Sequence, residues 1–114
     1  MSLALTTHIG QSVVQKISPQ LRAVLTILCG DRHLMEATMP HVDLNADSIQ
    51  WEGIYHLALS PTQKAAVDIA FGIWTDEQKP DTNFFGPVLN MATDLQTAVL
   101  RALAIRWGIK VKGI

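Results

Sequence analysis

Cysteine occurs once in this chain, at Cys29, so no internal disulfide can form and the single thiol fits a reducing compartment. Charge is sparse as well: 17% of the residues are Asp, Glu, Lys or Arg, against roughly 25% in an average soluble domain. Nine bases against ten acids leave a net charge of −1, which excludes a global field drawing the chain to nucleic acid or to an anionic membrane. The glycines are scattered, with Gly72, Gly86 and Gly108 isolated, so no phosphate-cradling loop is present. No apolar run is long enough to cross a bilayer, and no basic stretch followed by an apolar one opens the chain. The expectation is an unanchored, cytoplasmic protein without a membrane partner.

Several catalytic signatures are missing too. There is no CxxC, HExxH or HxxxH spacing, and Ser60 stands in Leu-Ser-Pro rather than in Gly-x-Ser-x-Gly. No internal repeat or low-complexity segment interrupts the sequence. What remains is a hydrophobic content of 48% in 114 residues, enough for one packed domain. With so little charge to cover it, some apolar surface is left for a partner.

The strongest local pattern runs from Leu57 to Trp74. Ser60 is placed to cap a helix, Pro61 falls where a missing N–H costs nothing, and Gln63 completes a capping box. Behind it Ala65, Ala66, Val67, Ile69, Ala70, Phe71, Ile73 and Trp74 cover most of the circumference, which predicts a central helix over 61–75. Ser18-Pro19 repeats the cap-and-proline device before Leu21, Val24, Leu25 and Leu28. Ile9, Val13, Val14 and Ile17 predict a helix over 7–17. Pro87 opens a last helix through Val88, Met91, Ala92, Leu95, Ala98, Val99, Ala102 and Leu103, with Gly108 as its stop. Residues 75–84 read as a polar surface loop. Over 41–59 two periods compete: Trp51, Ile54, Tyr55 and Ala58 favour a short helix, while the odd positions from Ile49 to Leu59 allow a small β-hairpin. The fold class is therefore mainly α, a compact bundle of four to five helices around 61–75, in a single domain over 1–114.

Three groupings of polar residues carry possible chemistry. Cys29, His33 and Glu36, at i, i+4 and i+7, would share a face of an unbroken helix and offer a metal or a reactive thiol three ligating groups. Gly30 interrupts that helix, and the more ordinary reading makes Cys29 a core residue with His33 and Glu36 on the surface. Asp43, Asn45 and Asp47 alternate as calcium ligands do, yet lack the glycine and terminal glutamate of such a loop and read as turn formers. Asp68 lies on the predicted central helix one turn after Lys64, an ion pair at the solvent edge unless that face turns inward.

The seven aromatics can line a pocket, but in a domain this small they serve the core first. Between Asp31 and Asp81 there are nine acids and three bases, and from Arg101 onward four bases and no acid. Arg101, Arg106, Lys110 and Lys112 form a modest basic end around Trp107, short of a nucleic-acid footprint. Leu100, Ile105 and Trp107 widen the last helix's apolar surface beyond one stripe. The expectation is a cytoplasmic interaction module, a homodimer through Leu100, Ile105 and Trp107, with no cofactor. The alternatives are a metal- or thiol-dependent site on Cys29, His33 and Glu36, and a weak nucleic-acid binder.

Overall fold

The computed structural model describes residues 17–76 and 85–109. Among these, helix α1 (Pro19–Leu28) is followed by α2 (Arg32–Thr38), a 3-10 turn (Met39–His41) and a hairpin of β1 (Val42–Asp43) and β2 (Ser48–Ile49). Then come α3 (Trp51–Tyr55), α4 (Pro61–Thr75), α5 (Phe85–Leu89) and α6 (Thr93–Trp107). The mainly helical class expected from the sequence is what these elements form. The helix expected over 7–17 lies outside the described residues except for its last residue, and so does most of the loop expected over 75–84.

Both proline-led helices start as their sequences dictate. Ser18 is extended and its Oγ accepts the Leu21 N–H at 3.0 Å, with Pro19 in the first turn. At α4 the box is closed in both directions: Ser60 Oγ accepts the Gln63 N–H at 3.2 Å, and Gln63 Oε1 accepts the Ser60 N–H at 2.9 Å.

The most completely enclosed element is α1 rather than α4. From Ala23 to Leu28 every residue of α1 is buried, and the helix packs against both α4 and α6. Ala23, Val24, Ile27 and Leu28 join α4 and α6 residues in one core cluster, while Leu21, Leu25 and Cys29 join Ile17 in a second, under Val42, Leu44 and Ile49 of the hairpin. Helix α4 buries Ala66, Val67, Ile69, Ala70 and Ile73 and leaves Phe71 and Trp74 half-buried. The polar residues of α1 had disguised its position. Thr26 is 1% exposed because its hydroxyl donates to the Arg22 carbonyl at 2.8 Å and so needs no water.

Residues 41–59 contain both a hairpin and a short helix, but the hairpin precedes the alternating positions that suggested it, and of those only Ile49 lies in a strand. The hairpin pairs Val42 with Ile49 and Asp43 with Ser48, and α3 follows directly. Asp43 Oδ1 accepts the Asn45 and Ala46 N–H groups at 3.1 and 3.0 Å, and Asp47 takes a left-handed φ of 52°, so the turn lies at 44–47.

The single last helix expected from Pro87 is broken in two. Ala92 is extended, with φ −60° and ψ 152°, between α5 and α6. An uninterrupted helix would offer the Val88 carbonyl to the Ala92 N–H. That carbonyl instead accepts the Met91 N–H at 3.2 Å and Gln96 Nε2 at 2.7 Å, and Met91 is buried. At the other end Gly108 stops α6 with a φ of 69°, as its position suggested. Among the described residues no helix is long and apolar enough to cross a membrane.

Candidate functional site

Cys29, His33 and Glu36 do not share a helical face. Cys29 caps the C-terminus of α1, Gly30 follows, and Asp31 turns extended to cap α2, accepting the Leu34 N–H at 3.4 Å. The chain therefore changes direction inside the triplet. Cys29 is buried, and burial pushes its thiol up to about 11, the opposite of a reactive thiolate. Glu36 is exposed and accepts Arg32 Nε at 3.0 Å, one turn along α2. Among the described residues no group of three His, Cys, Asp or Glu side chains is arranged to hold a metal ion. The alternative of a metal set on Cys29, His33 and Glu36 finds no such arrangement, because a helix break stands where continuity was required, and the more ordinary reading of a core Cys29 with His33 and Glu36 on the surface is what the chain adopts. Asp43, Asn45 and Asp47 likewise serve the turn, and Asp47 Oδ1 accepts a hydrogen bond from Ser18 Oγ at 3.0 Å.

His33 has a different partner. Its Nδ1 lies 3.1 Å from Gln63 Nε2, which also donates to Asp31 Oδ2 at 2.6 Å. The amide nitrogen only donates, so in this contact the acceptor is His33 Nδ1. Gln63 thereby closes the cap of α4 with its oxygen and ties α4 to the start of α2 with its nitrogen. Asp31, Ser60 and Gln63 line a cleft of about 390 Å³ with Gly30, Arg32, Thr62, Ala92 and Asp94. The cap role of Gln63 was legible from its neighbours; the bridge to residues 30 and 32 positions earlier was not.

Asp68 meets an element that the sequence did not place beside it. Tyr55, on α3, donates its hydroxyl to Asp68 Oδ1 at 2.9 Å. Burial, then the hydrogen bond and negative charge of Asp68, raise the Tyr55 hydroxyl above its ordinary value. The ring of Tyr55 meets Phe71 edge-on at 6.0 Å, and Trp51 meets Phe71 at 5.2 Å and Trp74 at 6.5 Å. Four aromatics thus seal the α3–α4 junction at the margin of the core.

The remaining candidate surface is the outer side of α6. Leu100 is 55% exposed and Trp107 65% exposed. Seven residues apart on one helix, they share a face. Ile105, expected beside them, is half-buried and packs on the core cluster instead. Leu89 and Ile109 are also exposed, at either end of the α5–α6 segment. Arg106, near the end of α6, turns inward, where its Nε donates to the Ile73 carbonyl at 3.4 Å and its guanidinium lies 3.9 Å from Asp76. It joins α6 to the end of α4. Compared with protein-family models, with curated proteins and with solved structures, the chain matches none of them.

Proposed function

We propose that this protein is a small cytoplasmic interaction module that pairs with a second copy of itself through the outer face of α6. The observation that carries this reading is the exposure of Leu100 and Trp107 on one side of one helix. A single exposed leucine is ordinary, but two large apolar side chains on a shared face are a contact surface. A second copy suits that surface because a net charge of −1 sets up little repulsion between protomers.

Size limits the strength of the pairing. Leu100 to Trp107 spans about 10 Å of helix, well below what the roughly 800 Å² per partner of a standard stable interface requires. The dimer of this reading is weak and concentration-dependent, and the protomer folds without it. Sedimentation velocity over a range of concentrations tests it. The wild type shifts toward a dimer as concentration rises, while Leu100→Glu and Trp107→Glu each remain monomeric with an unchanged helical circular dichroism spectrum. A dimer that survives both changes, or a wild type that stays monomeric at the highest concentration, overturns the reading.

A further inference from the structure

We draw no further inference here: the strongest candidate, the cleft lined by Gly30, Asp31, Ser60, Thr62, Gln63 and Asp94 where the N-termini of α4 and α6 meet, carries nothing, because its Asp31, Ser60 and Gln63 side chains are already bonded within the cluster and no second observation points to a ligand.

Discussion

Gly30 and Ala98 stand so close that a Cβ added to Gly30 would lie 2.4 Å from the Ala98 methyl and 3.1 Å from the Ile27 carbonyl oxygen. Helices α1 and α6 approach each other at this point, and only a residue without a side chain leaves room. The contact explains why a glycine follows the most enclosed helix of the fold, and its φ is not what requires it. Gly30→Ala must therefore push α6 outward or strain the end of α1, at about 1–3 kcal/mol, the usual cost of overpacking. Thermal unfolding should fall by roughly 4 °C for each kcal/mol in a chain of this size. Ala98→Gly in the same background should recover part of the loss, since it removes the atom that is struck. If the two substitutions prove additive, the contact does not exist as described.

Cys29 gives a second test because it is the sole thiol, so any thiol reagent reads this residue alone. Burial disfavours the thiolate and raises the folded value from 9.0 to about 11. The unfolded chain ionises first as the pH climbs, so the stabilisation is whole below about pH 9 and is lost as the pH rises toward 11. Urea unfolding should show this decline, and a Cys29→Ala variant should lack that component of it. At neutral pH the labelling rate should follow the opening of the structure, increasing with added urea. Rapid labelling of the native protein at neutral pH would mean that Cys29 is not enclosed.

How far the sequence reached depended on distance along the chain. Ser18-Pro19, Ser60-Pro61-Thr62-Gln63 and Gly108 act on backbone within four residues, and each does what its local pattern suggested. Ala92 was misleading because it is a good helix former inside an apolar period that runs on without interruption. The signal for the break is the side chain of Gln96 reaching back to Val88, which no periodicity records. The α6 surface shows the same limit. Leu100, Ile105 and Trp107 all read as surplus apolar residues, and only the placement of α1 and α4 sends Ile105 inward and leaves the other two facing out. For Cys29, His33 and Glu36 the local signal sufficed: Gly30 marks the helix break that favours the ordinary core-and-surface reading over the ligand triplet.

Gln63 serves two elements with two ends of one amide, and substitutions can separate the ends. Gln63→Ala loses the cap to Ser60 and the bridge to Asp31, at about 1–2 kcal/mol by the usual values for caps and hydrogen bonds. Gln63→Glu keeps the acceptor for the Ser60 N–H and adds a charge that the helix N-terminus favours. It also replaces a donor 2.6 Å from Asp31 Oδ2 with a second carboxylate. At that distance repulsion exceeds a dipole gain of about 0.3–1 kcal/mol, even after screening by water. Gln63→Glu should be less stable than wild type at neutral pH and should recover relative to it as one carboxylate is protonated in acid. Equal stability at neutral pH would show that the Asp31 bridge is not maintained in solution.

Tyr55 is the only tyrosine, so the ultraviolet absorbance of tyrosinate reports its ionisation without assignment. Three effects raise its hydroxyl above the ordinary 10.0, with burial the largest and the hydrogen bond and charge of Asp68 following. The neutral hydroxyl is thus the form the fold favours. Stability attached to it is complete below pH 10 and declines as the pH rises above that value. Titration of the native protein should give a midpoint above 10, with circular dichroism confirming that the chain stays folded at each point. Asp68→Asn removes the charge while keeping an oxygen to accept the hydroxyl, and Asp68→Ala removes the acceptor as well. The midpoint should fall in the first variant and further in the second, yet stay above 10 in both, because the ring still lies against Phe71. A complete return to 10 in Asp68→Asn would make charge the dominant cause and would mean that the α3–α4 junction is open to water. No change in either variant would remove the Tyr55–Asp68 bond from the account of how α3 is held.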